Sequence, residues 1–296
     1  MRAISLILLA ASLCLFPSCQ RSTYKREQIK EDIRQLAKKE FQADVTVEES
    51  GNVLGVEFKL PHLRSELTSG DDWLSKKVQG LLMILIRVTL SVDLPPDFFV
   101  LRVVDRDDPN FGFLFTRNME DMRKAWADVL SHGQMMDRSL DEYVVGKRTI
   151  PMDPEESDSL LLLLMSMDST ESAPQQDLKS IMAGVRFPEF LAKVAANSLR
   201  RHAREDGDMK KNLFLRQVQG SFKNMPVPGV FELSLELSAL PGSPLSPEDL
   251  RKTVYPQLVE WVREIFRSYK FTGFSSIRLV EKKTGDVFQV NSGGIQ

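Results

Sequence analysis

The 296 residues suffice for one large or two ordinary domains, and 42% hydrophobic with 27% charged residues excludes a disordered chain. Lys and Arg number 39 against 41 Asp and Glu, so no basic excess exists to recruit nucleic acid.

The chain opens with Met1-Arg2 and an apolar run from Ile4 to Phe16, broken only by Ser5 and Ser12. A helix that crosses a bilayer needs about 20 such residues, so this run has the length of a signal-peptide core instead. Leu15-Phe16-Pro17-Ser18-Cys19 follows, and it resembles the lipobox of bacterial lipoproteins, in which a small residue precedes an acylated cysteine. Ser18 and Cys19 match; Phe16 stands where that family usually has Leu, and Pro17 where it usually has a small residue. The resemblance implies cleavage before Cys19, lipid on that cysteine, and attachment to a membrane in the cell envelope, on the outer side of the cytoplasmic membrane. The two cysteines are Cys14 and Cys19; removal of 1–18 leaves Cys19 with no disulfide partner.

Residues 19–41 are expected to form the lipidated N-terminus and an amphipathic helix, with Ile29, Ile33, Leu36 and Phe41 on one face. Between Arg21 and Glu40 stand seven Lys/Arg and four Asp/Glu, the ordinary mixed charge of a helix docked on a protein body.

The first module is expected over 42–131. Val45-Thr46-Val47 alternates as a strand, Ser50-Gly51-Asn52 turns, and Val53 to Leu60 returns. Leu74, Val78, Leu81, Leu85, Val88 and Val92 then follow helical spacing, and Pro95-Pro96 bars continuation. Phe98 to Asp105 and Phe111 to Arg117 read as a hairpin around Asp107-Asp108-Pro109-Asn110.

A second module, 210–296, repeats that order. Leu213 to Phe222 and Val230 to Leu240 are strand-like, and Ser246-Pro247-Glu248-Asp249 starts a helix marked by Leu250, Val254, Leu258, Trp261, Ile265 and Tyr269. Phe274 to Glu281 and Val287 to Val290 close the unit. The fold class is therefore α+β: two β-β-α-β-β modules with antiparallel sheets, separated by a mostly helical insertion.

The insertion covers 132–209. A helix is expected from Asp153 into the run Leu160-Leu161-Leu162-Leu163-Leu164-Met165, and another over 188–204. Six of the twelve methionines fall between 135 and 182. Thioethers adapt to varied shapes, so Leu160, Leu161, Leu163, Leu164, Met165 and Met167 are the candidate surface for a partner protein or an apolar ligand.

Catalytic signatures are sparse. The histidines are His62, His132 and His202, with no zinc spacing, and H-E-x-x-H, G-x-S-x-G, G-x-x-x-x-G-K and G-x-G-x-x-G do not occur. No metal or cofactor is expected. Asp105, Asp107 and Asp108 read as turn formers, because Pro109 and the missing closing carboxylate break the calcium-loop pattern. The leading expectation is a lipid-anchored, non-catalytic envelope protein that binds a partner protein or an apolar ligand. The alternative is a membrane-anchored hydrolase whose active-site residues are scattered in sequence. A concave pocket with converging carboxylates would favour that alternative.

Overall fold

The computed structural model describes residues 23–69, 72–146, 148–152, 177–207, 209, 213–225, 228–240 and 246–292. Cys19 with the segment before it, and the whole Leu160–Met167 surface, lie outside the described residues.

The fold is α+β, with two sheets of the same internal order. In the first, β1 (Val45–Ser50), β2 (Val53–Leu60), β3 (Phe98–Asp105), β4 (Phe111–Asn118), β5 (Leu140–Val145) and β6 (Arg148–Pro151) lie in chain order. In the second, β7 (Leu213–Lys223), β8 (Gly229–Ala239), β9 (Phe274–Glu281) and β10 (Val287–Asn291) do the same. The sheets are mixed rather than purely antiparallel: β2 runs parallel to β3 and β8 parallel to β9, all other pairs being antiparallel. The cause is the helix in the middle of each β-β-α-β-β unit, since a strand–helix–strand crossover brings the chain back to the end it left.

Seven helices, all within the described residues, matter for the packing: α1 (Ile29–Phe41), α2 (Leu63–Ser69), α3 (Asp72–Ser91), α4 (Met119–Trp126), α5 (His132–Asp137), α6 (Leu178–Ala183) and α7 (Phe187–Glu205). An eighth, α8 (Tyr255–Ser268), is entered through Pro247–Asp249 and a π-helical turn at Leu250–Val254. Pro256 in its first turn has no N–H to give to the turn before it.

Both faces of the first sheet are covered, so β3 reads as a nearly unbroken apolar run. On one face Leu54, Val56, Phe58, Phe99, Leu101 and Phe111 pack against α1 and α3. On the other Val53, Phe98, Val100, Leu114, Leu140 and Val144 meet α6 and α7. The N-terminal helix is docked, with Ile29, Ile33 and Ala37 buried. It begins at Ile29, the first apolar position of that face, after Thr23 and Tyr24, which are extended and bond to Ser91, and Arg26, which donates to Asp93.

One helix serves both sheets. Phe190 and Val194 of α7 face the first sheet, whereas Leu191, Ala192, Ala195, Ala196 and Leu199 join α8 on the second. The small residues let α7 lie directly on β7. At the crossing stands Gly220, where a Cβ would come 1.8 Å from the Ala192 carbonyl oxygen. The outer face of the second sheet is polar, with Lys223 and Arg278 paired to Glu232 and Lys283 to Glu236.

The stretch between the modules is not helical throughout. Residues 140–151 form β5 and β6, which extend the first sheet beyond the four strands of its β-β-α-β-β unit. Their acidic residues are matched over long range: Asp141 pairs with Arg117, and Glu142 with Lys193.

Candidate functional site

Where α6 and α7 cross β4, β5 and β6, they leave a cleft of about 270 Å³. Its strand wall comprises Leu114, Thr116, Leu140, Glu142 and Thr149. The helix wall comprises Ser180, Ile181, Gly184, Val185, Glu189, Phe190 and Lys193.

Local sequence explains why the walls stand there. Asp177 caps α6, its carboxylate accepting from the Ser180 N–H at 2.7 Å, and the Ser180 hydroxyl together with that N–H holds the carboxyl below the usual carboxylate range. The helix seats closely on β2 because residue 55 is glycine: a Cβ there would lie 2.2 Å from the Met182 sulfur. Arg186 then extends the chain, and Pro188 in the first turn suits the start of α7. From that helix Phe190 packs on Phe98, with ring centroids 5.1 Å apart, and anchors the floor.

Three ionisable groups line the cleft. Glu142 is buried, its side chain 6% exposed, and both of its oxygens accept from Lys193 Nζ, at 3.0 and 3.2 Å. A lone buried carboxylate would be costly, so the Lys193 ammonium is its counter-ion. Glu189 is ion-paired with Arg186 through Oε1, and both of its carboxylate oxygens are shut off from water with no geometric hydrogen bond among the described residues. Together the walls offer an apolar floor, two carboxylates and one ammonium already engaged. The two lining carboxylates partly meet the criterion set for a hydrolase.

A second polar cluster joins the two modules beyond the cleft. Asn118 caps α4 by accepting from the N–H groups of Glu120 and Asp121, which points Asp121 inward. Asp121 accepts from the Tyr269 hydroxyl and from Arg138 at 3.0 Å, and the Arg138 guanidinium lies 4.9 Å from the Tyr269 ring centre. Burial raises the Asp121 carboxyl above its ordinary value, against the pull of those donors, and drives the Tyr269 phenol far above 10. Phe187 closes the junction, its ring 5.8 Å from Tyr269 and 5.6 Å from Phe271.

The other described residues singled out from sequence are not brought to the cleft. His62 is exposed and stands 3.0 Å from Asp107, and His202 bonds to the Ser198 carbonyl and stacks 5.2 Å from Trp261. Asp105 is spent on structure: it accepts from Asp107 N at 2.8 Å and Arg64 N at 3.0 Å. Among the described residues no group of three or more His, Cys, Asp or Glu could hold a metal ion, and no helix is long and apolar enough to cross a membrane.

Glu142, Glu189 and Lys193 were not singled out in sequence. A signal existed for Glu142, which shares a strand face with Leu140 and Val144, so an acid sits in an apolar row. Glu189 and Lys193 stand one helical turn apart, which on a surface helix is commonplace. No protein-family model, no curated protein and no solved structure matches the chain.

Proposed function

We propose that this chain is a lipid-anchored, non-catalytic protein of the bacterial cell envelope that binds a partner protein through the cleft between β4–β6 and α6–α7. The anchor rests on Ser18-Cys19 after a short apolar core. The observation that carries the binding half is the cleft itself, whose helix wall falls wholly within the insertion between the modules. Its size supports a partner protein over an apolar ligand. Pockets for drug-sized molecules run from roughly 300 to 1,000 Å³. At about 270 Å³ this one suits a side chain or two rather than a lipid.

One observation favours a second reading, an anchored hydrolase: two carboxylates, Glu142 and Glu189, line one cleft. Against it, Glu142 is already ion-paired on both oxygens with Lys193.

The test places a photo-cross-linking amino acid at Val185 in the cleft and, separately, at Lys282 in the β9–β10 turn, in the anchored protein in its own envelope. The expected result is one discrete adduct from Val185 and none of that mass from Lys282. Identical adduct patterns, or none from Val185, refute the binding site. The anchor is tested by mass spectrometry of the mature N-terminus, expected to begin at an acylated Cys19. An unmodified Cys19 or an intact Met1 refutes it.

A further inference from the structure

We propose that the end of the protein at which β3 starts and β4 finishes rests on the lipid bilayer, with Leu94, Trp126, Val129, Met136 and Met225 entering its interface. The inference rests on the reading of Cys19 as a lipid anchor and adds which surface the anchored protein lays against the membrane.

The N-terminal segment identifies the end. Thr23 N–H bonds to the Ser91 carbonyl at 2.9 Å, Tyr24 bridges to Val92, and Asp93 N–H returns to the Tyr24 carbonyl. The chain then enters β3 at Phe98, which pairs with Asn118 at the finish of β4, and the Asp97 carbonyl accepts from Met119 N–H at 2.9 Å. Thr23 stands four residues beyond Cys19, a span of at most about 14 Å even when fully extended. Acyl chains on Cys19 lie in the hydrocarbon, so the bilayer surface stands within that reach of Thr23. So short a tether turns this end towards the lipid.

Apolar exposure gathers at the same end. Among the described residues seven large apolar side chains are exposed, and five of them belong here. Leu94 directly follows the Tyr24–Asp93 contact. Trp126, Val129 and Met136 lie in the connection from the finish of β4 to the start of β5, where Thr116 pairs with Leu140. Met225 lies three residues past Phe222, and the rings of Phe222, Phe271, Phe187 and Phe98 form a chain from there to the start of β3. The remaining two are elsewhere: Met83 in the middle of α3, and Val287 opposite Val280, at the far end of the second sheet.

The presentation is built into the fold. Trp126 continues the face of Met119 and Met122, which are buried, yet it is 67% exposed. The apolar stripe of α4 therefore overruns the body that covers its start. The N–H groups of Val129 and Leu130 both bond to the Lys124 carbonyl, and Ser131 with Gln134 forms the capping box of α5, so the loop between the helices is fixed. An indole held out among aliphatic side chains suits a membrane interface, where its ring meets acyl chains and its N–H meets water and headgroups. Exposed charges of both signs surround it, Lys25, Arg123 and Lys270 with Glu27, Glu120 and Asp128. The contact is thus apolar and needs no anionic lipid.

The experiment uses the protein expressed from its full chain, its N-terminus checked by mass, in phosphatidylcholine vesicles with and without phosphatidylglycerol. Acylation blocks Cys19, so Leu94→Cys, Val129→Cys and, as the far-end control, Val287→Cys each offer one thiol for a nitrobenzoxadiazole label. All three positions are exposed, where substitution changes stability little. A nitroxide-bearing phosphatidylcholine is expected to quench the labels at 94 and 129 several-fold more than the label at 287, in both kinds of vesicle. Trp126→Ser together with Val129→Ser is expected to lower the quenching at 94 several-fold. Equal quenching at 129 and 287, or none at 94 and 129, in acylated protein that floats with the vesicles overturns the inference and leaves the anchor standing. Quenching that requires phosphatidylglycerol, or that survives the double serine variant undiminished, also overturns it. A chain that carries no acyl group and stays off the vesicles overturns the anchor and the inference together.

Discussion

Gly220→Ala tests the packing on which the whole arrangement depends. In β7 this residue pairs with Leu233 of β8 and faces the middle of α7. A Cβ at position 220 would lie 1.8 Å from the Ala192 carbonyl oxygen and 2.4 Å from its carbon, both main-chain atoms. Ordinary contacts between heavy atoms sit at about 3.5 Å, so α7 and β7 must separate by well over 1 Å. No rotamer change relieves this, because the obstacle is backbone. Nor can α7 retreat freely, since Phe190 and Val194 already press on the first sheet. Overpacking of this kind costs about 1–3 kcal/mol, and rigid atoms on both sides place it near the upper end. For a chain of this size each kcal/mol moves the melting temperature by about 2–4 °C, so Gly220→Ala should lower Tm by roughly 6–12 °C. Gly133→Ala is the control. Gly133 is exposed in α5 with nothing within 4 Å of the added carbon, and the substitution should raise stability by about 0.4–1 kcal/mol. Thermal melts by circular dichroism read both. If Gly220→Ala melts within 1 °C of the parent, the close crossing of α7 on β7 is wrong.

Arg102, buried beside Glu57 on the adjacent strand, should cost about 3–5 kcal/mol when changed to Met, whereas Arg102→Met with Glu57→Met should recover most of that in urea titrations. The raised Tyr269 pKa means the folded chain keeps a proton that the unfolded chain releases near 10. Its contribution is therefore complete below pH 10 and lost as the pH rises above it, and Tyr269→Phe should flatten that alkaline loss; an unchanged slope between pH 9 and 11 refutes it. Asp121 is also raised, so its contribution is fullest below 3.8 and falls as the pH climbs through the folded value. The parent should accordingly gain on Asp121→Asn in chemical-denaturation stability as the pH is lowered towards 3.8, and a loss on that path refutes the buried-carboxyl assignment.

Most of the repeated scaffold was legible because each module's strands and helix carry their own period. Val53 to Leu60, Phe98 to Asp105 and the helical spacing from Val78 to Val88 are local statements about burial, and the folded chain honours them. What could not be read is whatever depends on a distant partner. Leu140 to Val145 holds Asp141 and Glu142, which argue against a buried strand until Arg117, 24 residues away, and Lys193, 51 residues away, neutralise them. The cleft is a property of two sheet strands and two helices, and its charged residues are each unremarkable in isolation. The parallel pairing of β2 with β3 was implicit in the strand–helix–strand order, since a crossover helix returns the next strand in the same direction. Hairpin turns on either side suggested antiparallel pairing throughout.

The position of α7 ties the second module to the cleft. A helix that is apolar on opposite sides must be buried from both, and α7 sits between two sheets with large residues towards one and alanines towards the other. The alanine side fixes depth, because with so little side chain between them the helix and β7 meet backbone to backbone at Gly220. The large side then carries Phe190 onto Phe98, and Glu189 and Lys193 to the cleft rim, at positions set by that depth. The junction of Asp121, Arg138 and Tyr269 fixes the same helix end from another direction, since Phe187 at its start packs on Tyr269. Among the described residues the second sheet contributes none to the cleft lining, yet a shift of β7 or of Tyr269 would be transmitted through α7 to Glu189. The second module thereby holds one wall of the cleft at a fixed distance from the other.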